Sequence, residues 1–292
     1  MIRKNAYRTN LAEGYPPGVH MLRDLNVSLD IYKEGTAVIR APVVPEALSP
    51  GGGMQPGILA TLVDILAGAI AVQAVYPDWM ATAGLSMYTT GFANAGRVAA
   101  MGSLVRAGGQ SIIVQADLME ESGPDFSKRR SVGSALVSCA RLMRRSDTPS
   151  VEGKELHDER FRLGGDGAGL KQPFPDQVGL GVLDAAGGRV ELPLTDYVRN
   201  SFGALQGGLI TLLTDVAGAL FAGNAAGRPM TTRDMQIHFL SLGKIGPFRT
   251  LCRMLRQTEG SVLTRVEVVD AGANDRLLSV ATNASVPIGS VL

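Results

Sequence analysis

Histidine, cysteine and tryptophan are scarce in this chain, with three, two and one among 292 residues. Cys139 and Cys252 stand alone, outside any Cys-x-x-Cys spacing, so a disulfide framework and a zinc site are both unsupported. A reducing, cytoplasmic setting fits that usage. His20, His157 and His238 fall in no metal-ligand or triad pattern, and His238 reads as a sheet residue facing a neighbouring strand. Formal net charge is +1, which leaves no electrostatic case for nucleic acid or an acidic membrane surface. One basic cluster, Lys128-Arg129-Arg130, is expected in a hairpin loop. The first residues hold no apolar core or cleavage site, so no signal peptide is expected.

Hydrophobic residues make up 45% of the chain, enough for a normal core. The run 58–75 is long and apolar, but Asp64 lies inside it. A carboxylate in a single hydrocarbon span costs several kcal/mol, so a buried soluble helix is expected and no membrane partner.

The sequence repeats itself. Gln55-Pro56-Gly57-Ile58-Leu59-Ala60-Thr61-Leu62-Val63-Asp64 returns 151 residues later as Gln206-Gly207-Gly208-Leu209-Ile210-Thr211-Leu212-Leu213-Thr214-Asp215. Pro42/Pro193 keep that offset, and Thr82/Thr232, Arg106/Arg256 and Ser111/Ser261 recur with a slip of one. A period this long means two copies of one domain: 1–143, a charged Gly-rich linker 144–173, and 174–292.

Each copy reads as an extended segment closed by proline, a helix apolar on nearly all faces, and then alternating strands. The strands are expected at 97–107, 110–120 and 131–143, and at 248–257, 261–270 and 277–287, with hairpin-length turns. The fold class is α+β. A buried central helix wrapped by a curved antiparallel sheet is a hotdog-like plan, here twice in tandem as an intrachain pseudo-dimer.

Asn200, Gln206-Gly207-Gly208, Asp215 and the Thr232-Arg233-Asp234-Met235 strand opening occur at the spacings of one motif. With them the second copy resembles the PaaI-like acyl-CoA thioesterases of the hotdog group, and the first copy resembles them more loosely. Three departures are clear. The motif histidine is Gln55 in one copy and Gln206 in the other, and copy one has Ser49 for the asparagine and Pro56 for the first glycine.

The resemblance implies sites shared between two subunits, whose place the two repeats would take. One site would join Asp64 and Thr82 with Asn200, Gln206 and the Gly207 N–H. Asp would act as general base or attack the thioester directly, and the amide at the helix start would hold the developing oxyanion. The other would join Asp215 and Thr232 with Ser49, Gln55 and Pro56. Proline has no N–H, so that site is expected to be degenerate.

The function implied is hydrolysis of medium-chain or aryl acyl-CoA, with no cofactor or metal and with the chain a monomer or a dimer of tandem chains. Two alternatives stand beside it. With both motif histidines replaced, the chain could bind acyl-CoA without cleaving it. Pro56-Gly57-Ile58-Leu59 is similar to a segment of hotdog dehydratases, but those need a histidine and none lies near either helix start. Lysines and arginines are scattered, and no site for the CoA phosphates stands out. Met21, Met54, Met80, Met87 and Met101 read as adaptable apolar filler.

Overall fold

The computed structural model describes residues 15–76, 78–143, 158–165 and 167–289. Copy one contains α1 (Met21–Asp24), β1 (Ser28–Tyr32), β2 (Thr36–Pro42), α2 (Pro56–Ala74), β3 (Trp79–Thr89), β4 (Arg97–Ala107), β5 (Ser111–Ser122) and β6 (Lys128–Leu142). After β7 (Glu159–Arg162), copy two follows with α3 (Phe174–Gln177), β8 (Gly181–Asp184), β9 (Arg189–Leu192), α4 (Gly207–Ala226), β10 (Met230–Phe239), β11 (Phe248–Gln257), β12 (Val262–Asp270) and β13 (Arg276–Pro287).

The thirteen strands of the described residues form one antiparallel sheet, ordered β7-β1-β2-β4-β5-β6-β3-β10-β13-β12-β11-β9-β8. The order is near-palindromic about the β3–β10 joint, where Tyr88 pairs with Asp234 and Gly84 with His238. The Thr89 hydroxyl donates to Arg233 O across that joint at 3.1 Å. The repeats therefore meet edge to edge, and each leaves one face of its half-sheet to its own helix.

Those helices are long and apolar enough to cross a membrane by composition alone. Their hydropathy has another use: α2 and α4 pack on each other inside the sheet, with Ile58, Leu62, Leu66, Leu209, Leu212 and Leu213 all buried. Glycine lets them approach. A β-carbon on Gly57 would lie 2.6 Å from Leu212 Cα, and one on Gly208 would lie 2.5 Å from the Thr61 side chain. Thr61 Oγ1 donates to Gly208 O at 3.0 Å and Thr211 Oγ1 to Gly57 O at 3.3 Å, stitching the contact from both sides.

Both long strands after the helices carry a bulge at the matched place, between Thr82 and Gly84 in β3 and between Thr232 and Asp234 in β10. A bulge adds one residue and re-aims the side chains beside it. Here it falls next to the threonine of each copy.

Most expected strand limits agree with the structure to within three residues. The Lys128-Arg129-Arg130 cluster does not: it opens β6 rather than lying in the turn, because Glu120 and Glu121 on β5 pair with Arg130 and Arg129 across the strands. The linker expected at 144–173 contributes β7, which pairs with β1 at the edge of the first half-sheet. His157 and residues 144–157 lie outside the described residues.

Candidate active site

Asp64 sits mid-helix on α2, 9% exposed, with its carboxylate against the start of α4. A β-carbon on Gly207 would lie 2.7 Å from Asp64 Oδ2, so a larger residue there must displace the carboxylate. Thr82, aimed by the β3 bulge, donates its hydroxyl to Asp64 Oδ1 at 2.7 Å. Oδ2 accepts no hydrogen bond from any described residue. One carboxylate oxygen is thus oriented and the other is available. Burial pushes Asp64 up to about 6, with the Thr82 hydrogen bond acting in the opposite direction.

Gly207 is the first residue of α4, and its N–H has no acceptor among the described residues. An unpaired first-turn amide, reinforced by the helix dipole, suits a developing negative charge. Gln206 precedes it with a partly exposed side chain that makes no hydrogen bond to a described residue. Asn200 is more occupied. Its Oδ1 accepts from Phe202 N at 2.9 Å and Ala204 N at 3.0 Å, holding the loop that leads into α4.

All five residues line one cavity of about 440 Å³, within the usual range of roughly 300–1,000 Å³ for small-molecule sites. Its walls are mainly apolar: Ile65, Val72, Met80 and Ile210 lie inside, while Leu142, Leu240 and Leu242 are about half exposed. Trp79 and Phe202 meet edge to face there, with ring centroids 5.4 Å apart. Of the five methionines read as filler, Met80 lines this cavity and Met21, Met54 and Met87 are buried core.

Sequence reading missed the part of this cavity contributed by the start of the first repeat and by the linker. Tyr15, Pro16 and Leu22 from the N-terminal region, and Leu163 just after β7, also line it. Buried His20 ties that region to the site loop: its Nδ1 accepts from Leu22 N, so Nε2 carries the proton and donates to Arg199 O at 2.9 Å. Burial lowers the His20 pKa and keeps the ring neutral. No spacing rule flags such a residue, because its partner lies 179 positions away.

The second set of residues is also assembled, but closed. Asp215 is 1% exposed, and its Oδ2 accepts from Gln55 Nε2 at 2.6 Å and from Gly57 N at 2.8 Å. Burial raises its pKa, while the donors around it, Thr232 included, act in the opposite direction. Thr232 Oγ1 is near enough to favour the charged carboxylate but makes no hydrogen bond of normal geometry. Pro56 heads α2 and supplies no amide. Ser49 is buried in the preceding loop with its hydroxyl unpartnered, and it does not bond Asp215.

This architecture is the hotdog fold in tandem. Residues 202–275, about a quarter of the chain, match the sequence model of the thioesterase superfamily. Solved structures align along most of the chain at low identity. An acyl-ACP thioesterase from Bacteroides thetaiotaomicron is 11% identical with a TM-score of 0.57, covering 87% of this chain and 100% of that one. The tesB protein of Mycobacterium avium subspecies paratuberculosis is 9% identical with a TM-score of 0.57, covering 85% and 92%. A hot dog fold protein from Alicyclobacillus acidocaldarius is 13% identical with a TM-score of 0.53, covering 85% and 92%. No curated protein sequence matches the chain.

Proposed function

We propose that the chain is a thioester hydrolase of the PaaI-like type acting on acyl-CoA, with one competent site per chain. The observation that supports this most is the Asp64–Gly207 juxtaposition. A carboxylate oxygen with no hydrogen bond to a described residue lies beside a helix-start N–H with no described acceptor, at one wall of an apolar cavity.

Asp64 Oδ2 takes a proton from water as the water oxygen attacks the thioester carbonyl carbon. The carbonyl oxygen becomes negative and is held by the Gly207 N–H. Collapse of the tetrahedral intermediate breaks the C–S bond, and the proton on Asp64 passes to the departing sulfur. The products are a carboxylic acid and a free thiol. Thr82 keeps Oδ1 engaged so that Oδ2 faces the water. Gln206 can both donate and accept, so it can orient the carbonyl or the water without carrying a proton. Asn200 shapes the loop that presents Gln206 and Gly207.

The relative from Bacteroides thetaiotaomicron is named for acyl-ACP, which makes a carrier-protein thioester the comparison to run beside acyl-CoA. The test is free-thiol release from a panel of both, on wild type, Asp64→Asn and Asp215→Asn. Loss of at least about a hundredfold in Asp64→Asn alone is expected, the lower range for a general base. Saturable acyl-CoA binding with no release from any thioester would replace this reading with a binding protein.

A further inference from the structure

We infer that a second cavity, on the first repeat, is a binding site for a phosphate-bearing ligand. It measures about 490 Å³ and shares no lining residue with the cavity around Asp64. Asp30 and Arg40 lie on adjacent strands between core residues Leu29, Ile31, Ile39 and Ala41, which places them on the face turned away from α2. Arg97 from β4, and Arg160 and Arg162 from β7, converge on the same hollow. No motif announced it, because the arginines that line it come from three strands, β2, β4 and β7.

The arginines exceed what the local carboxylates require. Asp30 holds Arg40 at 2.9 Å and Arg162 at 3.1 Å. Glu121, 1% exposed, holds Arg97 at 2.7 Å and Arg129 at 3.3 Å. With Arg160 added, five arginines face two carboxylates, a surplus of three. Arg97, Arg129 and Arg162 each touch one carboxylate through one nitrogen, and Arg40 meets Asp30 through Nη1 and Glu121 through Nε at 3.6 Å. Nη2 of Arg40, Arg97 and Arg162 makes no hydrogen bond to a described residue. Arg160 is exposed and makes none at all, and the Ser28 hydroxyl beside it is likewise unpaired.

The carboxylates thus position guanidinium groups whose remaining N–H donors point to no protein acceptor. Arg97 is further fixed by stacking on Phe126, 3.8 Å from the ring centroid. Converging guanidinium forks match the tetrahedral oxygens of a phosphate, and three uncompensated positive charges repel one another until an anion enters. The shared ligand chemistry is a phosphomonoester or diphosphate, whether from the nucleotide end of CoA or from a free phosphate compound. This inference stands apart from the hydrolase reading, since binding needs no thioester.

The test is calorimetric titration of the full chain at low salt with inorganic pyrophosphate, adenosine 3′,5′-bisphosphate and uncharged adenosine. Wild type is compared with Arg160→Glu and with Arg276→Glu, an exposed arginine of the other repeat. Arg160→Glu is expected to weaken saturable phosphate binding about tenfold or more, the size of one lost charge-assisted contact, while Arg276→Glu leaves it within about twofold. Tighter binding of the bisphosphate than of pyrophosphate would assign the site to a nucleotide such as CoA, and equal binding to the phosphate alone. Absence of saturable binding by both phosphate probes, equal weakening in both variants, or adenosine binding as well as the bisphosphate would overturn the inference.

Discussion

Gln55 Nε2 donates to Asp215 Oδ2 at 2.6 Å, and with the Gly57 N–H it fills the carboxylate oxygen that its counterpart Asp64 leaves open. Residue for residue the two helix starts are nearly the same, yet one glutamine is a fastener and the other is unattached. The difference follows from Pro56 against Gly207. Without an N–H at the first helical position, the carboxylate is met by the second-position amide and the glutamine, and the pocket closes over it.

Asp215 is therefore a structural acceptor. Asp215→Ala strands the buried Gln55 amide and the Gly57 N–H, and it should destabilise the fold by about 1–3 kcal/mol in urea denaturation. Thiol release measured below the unfolding transition should stay within about twofold of wild type.

The pH dependence reports Asp64. Only the ionised carboxylate can take a proton, so kcat/KM should rise with pH and level off above about 6, where burial places the group. Removing the Thr82 hydrogen bond takes away what stabilises the ionised form, so Thr82→Val should move this limb to higher pH. A limb that moves down, or stays put, would contradict the assignment of Asp64 as base.

The same raised pKa has a stability consequence of definite sign. Between about pH 4 and 6 the native chain holds a proton on Asp64 that the unfolded chain has released, so this group makes stability fall as pH rises through that window. Asp64→Asn cannot ionise. It should be more stable than wild type by about 1–3 kcal/mol at pH 7, and the gap should close below pH 4. Paired denaturation curves at the two pH values check it.

Glycine at two adjacent positions does different work. Gly208→Ala pushes a methyl group into Thr61 at the helix contact and should cost about 1–3 kcal/mol, seen as a lower Tm. Gly207→Ala instead presses on the Asp64 carboxylate and should abolish thiol release with a smaller change in Tm.

Burial pushes both the Cys139 and Cys252 thiols up to about 12. At neutral pH neither supplies appreciable thiolate, so a thiol reagent should titrate close to none in the native chain and two after denaturation. The native result also gives a low background for the thiol-release assay.

Much of the fold was legible because duplication doubles every signal. A single Asp in an apolar helix says little, whereas Asp64 and Asp215, each nine residues after a glutamine, mark a built position. Pro56 was legible as a lost donor from covalent structure alone. Four features were not legible. The capture of Asp215 by Gln55 depends on a rotamer. The engagement of Asn200 by its own loop depends on backbone geometry. The roof formed by Tyr15 and Leu163, and the arginine-lined hollow, depend on which strand lies beside which, and β7 joins the sheet 128 residues or more away from its partners on β1.

Both halves of this pair, which meet at the β3–β10 joint, belong to one polypeptide. Two identical subunits related by a twofold axis must accept every substitution in duplicate: a proline at one helix start would appear at the other, silencing both pockets together. A fused pair is free of that obligation. Its two pockets, each built from both halves, can diverge separately, one closing into a fixed brace while the other keeps a carboxylate oxygen unengaged by described residues.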